Sequence, residues 1–114
     1  MRTVLLVLQS DSFRIAVQEA LQEHYHVITT QYSISGADLL HEQPDILILD
    51  LFLSGTNGLR FLRENYSLLP QTVLLFTPLA NPRVIYAAAN LGVSALFMKP
   101  CSLSAVLKWL ESQT

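Results

Sequence analysis

A chain of 114 residues suits one domain, residues 1–114, and leaves little room for a second. Its net charge of −2, without a basic run, argues against nucleic-acid binding, and its single cysteine, Cys101, excludes an internal disulfide and fits a reducing, cytoplasmic setting. The chain is 51% hydrophobic and only 14% charged, so apolar side chains must remain on the surface for a partner, while its longest apolar runs fall far short of the ~20 residues that span a bilayer.

Thr3 to Leu8 (TVLLVL) is a continuous apolar run, the pattern of a strand buried on both faces. Phe13 to Tyr25 places Phe13, Val17, Leu21 and Tyr25 at helical spacing, with Asp11 or Ser12 available as the cap. His26 to Thr30 reads as a short strand. Ser35 to Glu42 reads as a short helix with Leu39 and Leu40 inward, stopped near Pro44. Asp45 to Leu49 is a second strongly apolar strand, ending at Asp50. "LSGTNG" reads as a loop, and 58–66 as a helix. Thr72 to Phe76 is a strand. Pro82 to Leu91 is a helix with proline tolerated in its first turn and Gly92 as its stop. Ala95 to Met98 is a strand and Leu103 to Ser112 the last helix.

Five strand–helix units in succession predict an α/β fold: a parallel sheet of order 2-1-3-4-5, covered on both faces, in the flavodoxin-like three-layer arrangement. In such sheets the site lies at the carboxyl ends of the strands, where strand order reverses. Leu8, Gln9 and Ser10 follow the first strand, Asp50 the third, Thr77 the fourth and Lys99 the fifth. A carboxylate, a hydroxyl and an ammonium from distant segments thus converge on one rim.

The chain resembles the response regulator receiver domain (CheY-like) over nearly its whole length. "PDILILDLFLSGTNGLRFL" matches the segment around that family's phosphoacceptor aspartate, "TVLLFTP" its switch-threonine strand, and "NLGVSALFMKP" its Lys-Pro pair. The resemblance implies Asp50 as the phosphoacceptor position, with Thr77 and Lys99 as phosphate-contacting residues. It places Phe52 where a backbone carbonyl meets the metal and Lys99-Pro100 where the family has a cis peptide. It also exposes departures. The family's acidic metal-binding pair falls on Leu8 and Gln9, Ser54 stands in place of a usual proline, and Leu96 in place of an aromatic switch residue.

Magnesium demands hard oxygen ligands, usually carboxylates, in a strict octahedron. Asp50 alone, with an amide and a carbonyl, is too weakly charged, so we expect no cofactor, no metal site, weak or absent magnesium binding, and an Asp50–Lys99 ion pair propping the rim. The resulting expectation is a degenerate, phosphorylation-independent receiver. It is not an enzyme, and acts as a signalling and dimerisation module of a transcriptional regulator. Two alternatives stay open: a working receiver phosphorylated on Asp50 by a histidine kinase, and a sensor of apolar ligands at an uncharged rim around Leu8. Asp11, one helical turn on, is expected to cap rather than to replace the missing acids.

Matched onto the family's helix 4–strand 5–helix 5 face, Ile85, Leu96 and Trp109 form an apolar patch, with Trp109 turned outward. A homodimer through that face follows as the expected assembly. His24 and His26 read as surface residues and Cys101 as a small packing residue. No phosphate-binding glycine loop follows the first strand, which argues against a flavin site.

Overall fold

The computed structural model describes residues 1–79 and 81–113. Five strands, β1 (Thr3–Val7), β2 (His26–Thr30), β3 (Ile46–Asp50), β6 (Thr72–Thr77) and β7 (Ala95–Met98), form one parallel sheet of order β2-β1-β3-β6-β7. Counted among the sheet strands alone this is the expected 2-1-3-4-5. Two further strands, β4 (Phe52–Leu53) and β5 (Thr56–Asn57), form a small antiparallel hairpin. The helices are α1 (Asp11–Leu21), α2 (Ser33–Leu39), α3 (Gly58–Glu64), α4 (Pro82–Asn90) and α5 (Leu103–Ser112).

The alternation of side chains along buried strands divides the core into two layers. Val4, Leu6 and Leu8, with Ile46, Ile48, Leu74 and Phe76, pack under α1 and α5 against Val17, Leu21, Val106 and Leu110. Leu5, Val7, Leu47, Leu49, Val73 and Leu75 face the other way, toward Leu40, Phe61, Leu62 and Ala88. Burying one such side chain contributes about 1.5–3 kcal/mol. That holds β1, β3 and β6 in a register that aligns their carboxyl ends.

Several boundaries differ from the sequence expectation, each for a local reason. α1 starts two residues early because Ser10, rather than Asp11 or Ser12, is its cap, accepting from the Phe13 N–H at 3.4 Å. Asp11 lies inside the first turn, where a carboxylate favours the helix dipole. The helix stops at Leu21, and Tyr25 is buried from the following loop, not from the helix. α2 spans Ser33–Leu39, then tightens into a 3₁₀ turn, Leu40–Glu42, closed by Gln43 at φ 57°. Leu40 is buried as expected, whereas Leu39 is only half-buried; Gly36 occupies the inward position because a Cβ there would stand 2.9 Å from a Val7 methyl. The loop read from "LSGTNG" contains the β4–β5 hairpin, with Gly55 at φ 74°. α3 is shorter than 58–66, giving way to a 3₁₀ turn at Tyr66–Leu68. α4 and α5 are capped by Asn81 and Ser102, and Gly92, at φ 86°, follows α4.

The outward placement expected for Trp109 is not what the structure shows. Trp109 is half-buried on the α1–α5 side, its ring meeting Phe97 edge-on at 6.4 Å. It extends a row in which Phe13, Phe76 and Phe97 also touch in sequence. The reason is helical spacing: position 109 flanks the inward stripe of Val106 and Leu110 closely enough to reach the sheet edge. Leu96 is likewise half-buried, packed into the opposite layer because neighbouring strand residues point to opposite faces. Ile85 is exposed (49%) as expected, together with Tyr86 and Met98.

Candidate functional site

Asp50 ends β3. It follows Ile46 and Ile48 in the alternation, so a hydrophobic strand carries it to the rim, where it is only 4% exposed. A carboxylate so buried needs partners for its charge. Lys99, directly after β7, supplies one, with Nζ 2.7 Å from Oδ1. The Gln9 backbone N–H supplies the other, donating to Oδ2 at 2.8 Å. The expected ion pair is therefore present, and both carboxylate oxygens are engaged. Lys99 is aimed by its surroundings. Its N–H donates to the Thr77 carbonyl at 2.9 Å, continuing the β6–β7 ladder by one residue, and its ammonium stands 4.3 Å from the centroid of the Phe13 ring. Lys99-Pro100 is a cis peptide, at the place where the resemblance implies one.

The two residues in place of the acidic pair behave differently from each other. Leu8 does not line the rim. It is fully buried in the α1–α5 layer, and its carbonyl accepts from Arg14 Nη1 at 3.1 Å. Gln9 reaches across to the hairpin. Its Nε2 donates to Ser54 Oγ at 2.7 Å, and its Oε1 accepts from the Ser54 N–H at 2.9 Å. Two departures from the receiver pattern are thus one bonded pair. A proline at position 54 would have neither the N–H nor the hydroxyl.

Thr77 is brought to the rim, but its hydroxyl does not join Asp50 and Lys99. It donates to the Leu79 carbonyl at 2.7 Å and accepts from the Leu79 N–H at 2.9 Å, closing its own turn. Gly58 lies behind the site as the first residue of α3, its N–H on the Leu51 carbonyl at 2.6 Å. A Cβ there would strike the Asp50 carbonyl oxygen, so only glycine lets α3 start this close to the aspartate.

These donors do not fit magnesium. Leu8 points into the core, both polar ends of the Gln9 amide are engaged, and Asp11 is turned away into an ion pair with Arg14 at 2.7 Å. Among the described residues Asp50 is the one carboxylate lining the rim recess, and no three of His, Cys, Asp and Glu are grouped to hold a metal ion. The rim carries a recess of about 210 Å³, lined by Phe52, Phe76 and Pro78 together with Gln9, Ser10, Asp50 and Lys99. Cys101, half-buried next to this site and packed against the α1–α5 layer, has its thiol pKa raised by burial, with Lys99 pulling the other way. His24 and His26 are exposed, as expected.

Three roles in the site are not legible in the sequence: Ser10 as the cap beside the rim, Arg14 on the Leu8 carbonyl, and Ser54 as the partner of Gln9. The available signal for Ser54 is that it and Gln9 both depart from the receiver pattern.

By sequence, no protein-family model and no curated protein matches the chain. Solved structures do. A response regulator receiver domain protein (CheY-like) from Methanospirillum hungatei JF-1 superposes with a TM-score of 0.88 at 19% identity, covering 99% of this chain and 93% of that one. The chemotaxis protein CheY4 of Vibrio cholerae gives 0.85 at 24% identity, covering 98% of each chain. A DNA-binding response regulator of the LuxR family from Staphylococcus aureus gives 0.87 at 20% identity, again covering 98% of each. At these identities the likeness establishes that the chain has the fold these receiver domains share.

Proposed function

We propose that the chain is a response-regulator receiver domain that works without a metal ion and without phosphoryl transfer, as a protein-interaction module in a two-component signalling pathway. The observation that carries this reading is the state of Asp50. Its two oxygens are taken by Lys99 and by the Gln9 N–H, and among the described residues it belongs to no group of three His, Cys, Asp or Glu that could hold a metal ion. Phosphoryl transfer relies on positioned positive charge to meet the charge developing on the phosphoryl oxygens. Here Lys99 alone would meet it, and Lys99 is committed to Asp50 itself. The module is then regulatory rather than enzymatic, and a cytoplasmic location and attachment to a transcriptional regulator go with it. Among the described residues no helix is long and apolar enough to cross a membrane.

Incubation with a small phosphodonor and magnesium should add no phosphoryl group to the chain, as read by intact mass. A stoichiometric adduct, lost in Asp50→Asn, would restore the working-phosphoacceptor reading. The ligand-sensor alternative keeps one supporting observation, the recess walled by Phe52, Phe76 and Pro78, in place of the rim once expected around Leu8.

The same reading includes a homodimer through α4, β7 and α5. Ile85, Tyr86 and Met98 are the exposed apolar residues that support it, while Leu96 and Trp109 are half-buried in the two opposite core layers. An isologous pair is the usual closed solution for such a patch. Sedimentation at tens of micromolar (about the range set by a standard-size interface) should give a dimer, and Ile85→Glu with Met98→Glu a folded monomer. An unmutated protein that sediments as a monomer there ends the dimer proposal and leaves the reading of Asp50 intact.

A further inference from the structure

We propose that Gln9 and Ser54 form a latch that fastens the β4–β5 hairpin to the loop after β1, beside Asp50, without a cation. The two residues come from segments 45 positions apart, the loop after β1 and the turn of the hairpin. Their bonds run in both directions: the amide nitrogen gives to the serine hydroxyl, and the amide oxygen receives from the serine N–H. A primary amide has a donor end and an acceptor end, and Ser54 presents the complement of both. The backbone N–H of Gln9 meanwhile holds Asp50 Oδ2. One residue therefore ties three segments: the β1 loop, the end of β3 and the hairpin.

The hairpin needs such a tie. Its strands are two residues each, too short to persist alone. Leu53 anchors one side by burial, but Phe52 is 53% exposed and a Cβ built on Gly55 would meet nothing within 4 Å, so the turn itself has little packing to hold it. The Gln9–Ser54 bonds are what fasten the turn to the body of the domain at the aspartate. In this latch the amide does by hydrogen bonding what a bridging cation would do by coordination, and it does so at any metal concentration. The latch gives the hairpin two states: fastened, with the Gln9 N–H held on the Asp50 carboxylate, or released, with the hairpin free and that N–H exposed to water.

Backbone hydrogen exchange of the whole chain, resolved at residues 9 and 54, tests this. Gln9→Ala should speed exchange of the Ser54 N–H by about tenfold, the scale of one to two net hydrogen bonds. The N–H of residue 9, on the Asp50 carboxylate, should accelerate by a similar factor, because the two open together. Ser54→Ala keeps the N–H but loses the hydroxyl, and should show the same paired acceleration at about half the effect on a logarithmic scale. Magnesium should leave both rates of the unmutated protein unchanged. Acceleration at residue 54 without acceleration at residue 9 would reduce the contact to a local bond and overturn the latch, as would an unchanged Ser54 rate in Gln9→Ala. Slowing of either amide by magnesium would overturn its independence of cations. Because these readouts need no phosphodonor, their failure is distinguishable from phosphorylation of Asp50.

Discussion

Lys99→Met should destabilise the protein by about 3–5 kcal/mol, the range for removing one partner of a buried ion pair. Asp50 is 4% exposed and would keep a single hydrogen bond, from the Gln9 N–H, to meet a full negative charge. The Lys99 side chain is 27% exposed, which places the effect toward the lower end of that range. For a domain of this size a loss of about 3 kcal/mol lowers the melting temperature by roughly 10–20 °C. Asp50→Asn placed in the Lys99→Met background should recover most of the loss, because the charge left without a partner is gone while an amide can still accept from Gln9. Thermal melts of the two single variants and the double variant check this. Additive losses would mean that Lys99 contributes through its packing over Phe13 and not through the carboxylate.

Phe76→Ala should cost about 3–5 kcal/mol, the usual range for deleting a buried phenyl ring. Phe76 is fully buried near the carboxyl end of β6 and is the cross-strand partner of Asp50. It meets Phe13 edge-on at 4.9 Å and Phe97 at 6.2 Å, so its loss opens a cavity beneath the site and breaks the aromatic row in the middle. The cavity would adjoin the recess that Phe76 helps to wall. Denaturant titration should show a lower midpoint, and Phe76→Leu, which refills most of the volume, should recover more than half of the loss. A Phe76→Ala protein within 1 kcal/mol of the unmutated one (about the scale of a typical single substitution) would mean that the rim collapses to fill the space.

The hydrophobic pattern by itself determined the architecture. Runs such as Val4 to Leu8 and Ile46 to Leu49 are apolar at every position, the pattern of a strand covered on both faces, and the amphipathic stretches between them imply a parallel sheet whose usual order at this size is 2-1-3-4-5. Strand ends follow from the same pattern, so Asp50 and Lys99 were legible as rim residues and their opposite charges as a pair. Helix ends were less legible. Ser10, Asp11 and Ser12 are all acceptable caps, and which of them turns into the first helical residue depends on where β1 releases the chain. Only the tertiary structure decided where the side chains of Leu8, Gln9, Thr77 and Trp109 go. Leu8 remains in phase with Val4 and Leu6 and enters the core, and Gln9, one residue on, is out of phase and free to find Ser54. The Thr77 hydroxyl has a near partner in the Leu79 backbone, and a near partner costs less chain entropy than a distant one. Trp109 is large enough to reach Phe97 from the margin of its helix, so the area it buries there outweighs the outward place its position alone suggests. Pairings such as Gln9 with Ser54 join segments that neither propensity nor periodicity connects, and they exist only once the sheet has brought the two loops to one end.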